Sequence, residues 1–101
     1  MAELTVAVER SPGAAIVSLH GDLDKVSAPV LREQLVLLHG ERVHTIVIDA
    51  AGLAFCDSSG LWVLIEHQRL VREHGGSLRL TGVHGVLRRV LDVTGLNAAF
   101  T

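Results

Sequence analysis

Five residues near the middle of the chain, Thr45-Ile46-Val47-Ile48-Asp49, leave little choice of backbone. A continuous β-branched run is stiff at χ1 and favours extended structure. Being continuous, it reads as a strand covered on both faces. Such a strand belongs inside a sheet, and its neighbours in sequence supply the rest of one. Leu4, Val6 and Val8 alternate with Thr5, Ala7 and Glu9, the period of a strand with one covered face. Ser11-Pro12-Gly13 breaks that strand, and Ala14 to His20 resumes it. So short a link implies an antiparallel hairpin.

Helical periodicity fills the gaps between later strands. Ser27 is placed as an N-cap with Pro29 in the first turn, followed by Val30, Leu31, Leu35, Leu37 and Leu38 on one side. Arg32, Glu33 and Val36 face the other way. A second helix runs from about Ser59 to His74 and ends at Gly75-Gly76. Ser77 to Thr81 alternates as a further strand. The last helix turns Val86, Leu87, Val90 and Leu91 inward and Arg88, Arg89 and Asp92 outward. It stops at Gly95-Leu96, a pair suited to a left-handed cap with an apolar latch.

The order β-β-α-β-α-β-α predicts an α/β fold, a mixed four-stranded sheet with helices packed on it. In such sheets ligands and partners meet the loops at the carboxyl ends of the strands. Two loops qualify: Gly21-Asp22-Leu23-Asp24-Lys25, read as a polar turn, and Leu53 to Gly60, which leads into the second helix. Their residues Asp22, Asp24, Asp57 and Ser58 are expected on one rim. Asp57-Ser58-Ser59-Gly60 stands at a helix N-terminus, where unpaired N–H groups and the helix dipole favour an anion, so a phosphate bound there or carried by a serine is the leading expectation.

The totals narrow the function. At 101 residues and 49% hydrophobic content the chain is expected to be one domain over its full length, residues 1–101. A net charge of -2 offers no general attraction to nucleic acid or an anionic membrane. No basic, apolar leader and no stretch of about 18 apolar residues occurs, so a soluble cytoplasmic protein is expected. The single cysteine excludes an internal disulfide and a Cys-based zinc cage. His67 and His74 sit two turns apart, farther than the i, i+4 spacing of a helical metal pair. The histidines are therefore read as solvent-exposed, with no metal and no cofactor. No Gly-x-Ser-x-Gly elbow, phosphate-binding Walker loop or dinucleotide fingerprint is present, which argues against an enzyme.

Gly21-Asp22-Leu23-Asp24, Ala28-Pro29-Val30-Leu31-Arg32, the strand ending at Asp49, Phe55-Cys56-Asp57-Ser58-Ser59-Gly60-Leu61, Gly75-Gly76 and Val93-Thr94-Gly95-Leu96 together resemble the STAS domain of bacterial anti-sigma factor antagonists. The resemblance runs nearly end to end, and Asp-Ser-Ser-Gly-Leu is its most specific part. It implies that an anti-sigma factor, itself a serine kinase, phosphorylates Ser58. The unphosphorylated antagonist would bind that factor and free the sigma factor; the phosphorylated form would let go until a phosphatase restores it. Asp24 and Asp57 match the kinase-contact surface, and Ser59 matches a Ser or Thr position. The alternative is a STAS module never phosphorylated, serving as a scaffold, a nucleotide- or lipid-transport accessory or a stress-signalling subunit.

Plainer roles stand beside these. Ser58 and Ser59 can simply cap the helix; with the resemblance, Ser58 is taken as the acceptor and capping is left to Ser59. Asp24 and Asp57 can equally be turn residues bonding their own backbone. Cys56 reads as a small buried apolar side chain rather than an activated thiol, and Arg88 and Arg89 as a solvated helix face. Trp62 departs from the family, which is commonly small there. A step of 100° per residue puts it with Glu66, Arg69 and Glu73, opposite Leu61, Leu64, Ile65 and Val71. It is expected to be exposed and to anchor a partner. The partner surface is thus Asp22, Asp24, Asp57, Ser59, Gly60 and Trp62 around Ser58. A monomer or weak dimer is expected, with Trp62 and Val36 available for self-association.

Overall fold

A computed structural model describes residues 2–100. The strands are β1 (Thr5–Ser11), β2 (Ala14–Leu23), β3 (Thr45–Cys56) and β4 (Ser77–Thr81). The helices are α1 (Ala28–Gly40), α2 (Ser58–Glu73) and α3 (Gly85–Thr94), followed by a 3-10 turn over Leu96–Phe100. The sheet order is β1-β2-β3-β4; β1 is antiparallel to β2, and β3 and β4 continue parallel. The sequence-based order is thus the observed one.

The covering of the sheet differs from expectation. Ala15, Val17 and Leu19 of β2 and Ile46, Ile48 and Ala50 of β3 are buried, while Ile16 is 45% exposed and Val47 and Asp49 are half-buried. The Thr45–Asp49 run is therefore covered on one face, not both. Right-handed crossovers that step one way across a sheet place their helices on the same side. α1, α2 and α3 build a single core on that side, with Leu31, Leu35, Leu38, Leu64, Val71 and Leu91 almost completely enclosed. Removing each such side chain from water contributes about 1.5–3 kcal/mol.

Both strands leading to the rim outlast their expected lengths. β2 runs through Leu23, so Gly21-Asp22-Leu23 is strand rather than turn. β3 continues to Cys56 by way of a bulge, where the register passes from Ser18↔Asp49 to His20↔Gly52. Gly52 permits this: a Cβ there would lie 2.7 Å from the Leu19 carbonyl oxygen and 2.8 Å from Cγ of His20. Three apolar residues also sit differently from the helical reading. Val30, Leu37 and Val86 are 47%, 50% and 56% exposed. At 100° per residue each is turned roughly 120–140° away from the buried stripe of its helix, Ala28-Leu31-Leu35-Leu38 or Leu87-Leu91, and so faces away from the core. The left-handed stop at Gly95 forms as expected, with φ 75° and Leu96 partly packed on the core.

Candidate functional site

β2 and β3 end together, with Leu23 paired to Cys56 and the Asp57 N–H donating to the Leu23 carbonyl at 3.1 Å. That bond delivers the chain to α2. Asp57 is extended (φ -100°, ψ -174°), and its Oδ1 accepts from the N–H groups of Ser59 (2.9 Å) and Gly60 (3.2 Å). Asp57 is therefore the N-cap of α2, the role assigned to Ser59 from sequence. The expected anion seat is altered as well: a carboxylate already occupies two of the free N–H groups and complements the helix dipole. Ser58, the first residue of the helix, is exposed, and among the described residues its hydroxyl has no hydrogen-bond partner.

The second loop is closed by Asp24. Its Oδ1 accepts from the N–H groups of Val26 (3.0 Å) and Ser27 (2.9 Å), and these bonds, the Ser27 one foremost, hold its carboxyl below the usual carboxylate range. Ser27 does not cap α1 with its side chain. Its hydroxyl points back, donating to the Asp22 carbonyl at 2.8 Å and accepting from the Asp24 N–H at 2.9 Å.

Two expected members of the surface have other work. Asp22 is tied to Ala2, its Oδ2 accepting from the Ala2 N–H at 3.1 Å and its own N–H donating to the Ala2 carbonyl at 3.0 Å. Gly60 is buried, because a Cβ there would lie 2.8 Å from Cδ2 of Leu23. It brings α2 close to the end of β2 and offers no side chain to a partner. Trp62, by contrast, is 55% exposed as expected, one turn from Ser58.

Around Ser58 the surface is mostly apolar. One furrow between α2 and α3 is lined by Phe55, Asp57, Ser58, Leu61, Val86 and Val90, and a second by Ser58, Leu61, Trp62, Ile65, Arg69 and Leu96. Phe55 at 47% and Val86 at 56% exposure are members that sequence reasoning missed. Phe55 stood two residues before the most specific motif and was given no role, and Val86 was assigned to the core. Cys56 is buried as expected. Burial, with the Asp57 carboxylate beside it, pushes its thiol up to about 11, and its Sγ contacts the Asp57 carbonyl at 3.6 Å.

Arg88 and Arg89 lie on an exposed helix face, as expected. Arg88 pairs with Asp92 along α3 at 3.3 Å, both exposed. The histidines are not all on the surface: His67 is 5% exposed, and His39 and His44 are half-buried. Among the described residues no helix is long and apolar enough to cross a membrane.

The family described as Mlab, STAS domain, matches residues 6–100. The anti-sigma-B factor antagonist of Bacillus subtilis (strain 168) is 37% identical over 93 residues, covering 92% of this chain and 84% of the relative. The crystal structure of an anti-sigma factor antagonist from Mycobacterium paratuberculosis superposes with a TM-score of 0.80 at 29% identity, over 97% of this chain and 83% of that one. The Bacillus cell fate determinant SpoIIAA, solved in its phosphorylated form, shares the fold with a TM-score of 0.80 at 22% identity, over 96% of this chain and 89% of that one. A mixed β1-β2-β3-β4 sheet under three helices, an Asp-Ser-Ser-Gly helix start at its rim and these relatives agree: the chain belongs to the STAS domain family, among the anti-sigma factor antagonists.

Proposed function

We propose that this protein binds an anti-sigma factor that is also a serine kinase, and that phosphorylation of Ser58 ends the binding until a phosphatase reverses it. The observation that carries the proposal is the division of labour at the start of α2. Asp57 makes the capping bonds, so the Ser58 hydroxyl is left exposed and unbonded, available to a kinase without unravelling the helix. That SpoIIAA, which shares this fold, has been solved in a phosphorylated form supports the reading.

A phosphate on Ser58 adds about -1.5 to -2 charges. The nearest helix N–H groups are already held by Asp57, so the protein's own backbone offers little to neutralise it. A partner fitted to an apolar furrow and a neutral hydroxyl would meet an unpaired dianion, and every 1.4 kcal/mol lost is about tenfold in affinity. No change of fold is needed.

The test is incubation with ATP and an anti-sigma factor kinase, followed by intact mass and a binding measurement. Wild type and Ser59→Ala gain one phosphate and lose the kinase; Ser58→Ala gains none and stays bound. Equal phosphorylation of Ser58→Ala overturns the assignment.

A further inference from the structure

The sheet has one covered side and one bare side. The register places Val8, Val17, Ile48 and Leu80 in one row across the four strands, packed on the core with the helices. One residue further along, Glu9, Ile16, Val47 and Arg79 form a row that faces away. Ile16 is 45% exposed, Glu9 and Arg79 are exposed, and Val47 is half-buried.

Charge is arranged antisymmetrically along that outer row. Its two apolar side chains sit in the middle, with an anion at the β1 edge and a cation at the β4 edge. Strands about 4.8 Å apart put the backbones of Glu9 and Arg79 about 14 Å from each other, too far for the two to pair over Ile16 and Val47. Among the described residues neither has an ion-pair partner. The next row on the same face is Ala7, Ser18, Asp49 and Thr81. Oδ1 of Asp49 accepts from the Ala51 N–H at 3.0 Å, and among the described residues the Ser18 hydroxyl has no hydrogen-bond partner.

We propose that a second copy of this chain docks on the bare face, the two sheets stacking about a two-fold axis that runs nearly parallel to the strands, between β2 and β3. Such a rotation reverses the strand order and keeps the strand direction. Glu9 then faces the partner's Arg79 and Ile16 faces the partner's Val47, and symmetry makes each contact twice. In the next row Ser18 faces the partner's Asp49, so a hydroxyl without a partner meets a carboxylate. Stacked sheets lie about 10 Å apart with their strands within about 30° of each other. The small side chains of Ala7, Ser18 and Thr81 leave room for that approach. Charge complementarity thus selects a copy of the same face as the occupant.

The size of the face sets the strength. Four strands about 4.8 Å apart and about five residues deep cover roughly 300 Å². A standard interface takes about 800 Å² from each partner, so this dimer is weak, with a dissociation constant of about 0.1 mM. α2 packs on the opposite side with Ser58 at its start, and both copies keep that rim open.

The experiment uses the full chain without a tag, followed by sedimentation velocity from about 10 µM to about 1 mM, a range that spans the expected midpoint. Circular dichroism checks that each variant is folded. Wild type should pass from monomer to dimer. Glu9→Lys and Arg79→Glu each bring like charges face to face and should weaken association at least tenfold. Ile16→Asp, which changes no edge charge, should weaken it as well. Mixed in equal amounts, Glu9→Lys and Arg79→Glu should associate again, because each supplies the charge that the other lacks. The double variant Glu9→Lys/Arg79→Glu should dimerise like wild type. A wild type still monomeric at about 1 mM, a dimer indifferent to the single variants, or no recovery in the mixture and the double variant overturns the proposal. Loss of the dimer in Trp62→Ala alone does so too, since that would put the contact on α2.

Discussion

Gly60 lies against Leu23 so closely that a Cβ added to the glycine would stand 2.8 Å from Leu23 Cδ2 and 3.1 Å from the Leu23 carbonyl oxygen. Leu23 is completely buried and closes the end of β2, so it has little room to retreat. Two effects oppose each other in Gly60→Ala. Helix propensity favours alanine by about 1 kcal/mol, and overpacking costs about 1–3 kcal/mol. The overlap wins, and a net loss of about 1 kcal/mol is expected, read as a melting temperature about 4–8 °C lower. An unchanged or raised melting temperature would show that Leu23 yields freely.

The Asp57 cap separates structure from recognition. Asp57→Ala loses both bonds to the Ser59 and Gly60 N–H groups and is expected to cost about 1 kcal/mol in urea unfolding. Asp57→Asn keeps an acceptor oxygen and should lose only a few tenths of that. If the partner also reads the charge, the asparagine variant folds normally yet binds the anti-sigma factor more weakly. Equal binding by both forms would confine Asp57 to capping.

Much of this architecture was legible from one-dimensional pattern, and most of the exceptions share a cause. Alternation and helical period locate elements along the chain, and Ser11-Pro12-Gly13 and Gly95 mark their ends, so the order and strand directions follow. Period says nothing of what lies across from a face. The Thr45–Asp49 run looks doubly covered because β-branched residues favour extended backbone for its own sake, yet only one side meets helices. The exposure of Val30, Leu37 and Val86 has another origin: the helical period itself turns them roughly 120–140° from their buried stripes, and they were assigned inward on hydrophobicity alone. The exposed positions of Ser58 and Trp62 at the start of α2 could be read because a motif and a helical angle are local properties. Gly60's burial, the Asp22 tie to Ala2 and the meeting of His39, His44 and His74 depend on segments distant in sequence.

Cys56 adjoins the proposed phosphorylation site, yet its thiol is buried and pushed up to about 11. The thiolate is the reactive form, so almost none is present at pH 8. Alkylation by iodoacetamide at pH 8 is expected to proceed far more slowly than for a free thiol and to go rapidly to one equivalent in urea. Fast alkylation of the folded chain would contradict this environment.

Asp24 links the rim to acid stability. Its carboxyl is held below its ordinary value of 3.8, chiefly by the Ser27 N–H. A folded-state pKa below the unfolded one contributes stability that is complete above the unfolded value and is lost as pH falls through the folded one. Wild type should therefore lose stability below about pH 4 more steeply than Asp24→Asn, which has no proton to gain. Urea midpoints measured from pH 5 to pH 2 check this, and parallel curves would remove Asp24 from the acid response.

Trp62 provides the sharpest contrast between folding and recognition. The side chain is 55% exposed, and with Leu61, Ile65 and Leu96 it lines the furrow beside Ser58. Its indole does not belong to the enclosed core, so Trp62→Ala should change unfolding free energy by only about 0.5 kcal/mol. Tryptophan at the centre of an interface often contributes 2 kcal/mol or more of the binding energy, roughly thirtyfold in affinity. Trp62→Ala should thus unfold almost like wild type while binding the anti-sigma factor at least tenfold more weakly. A melting temperature that falls with the affinity would reassign Trp62 to packing, and unchanged affinity would move the partner to the Phe55 and Val86 side of Ser58.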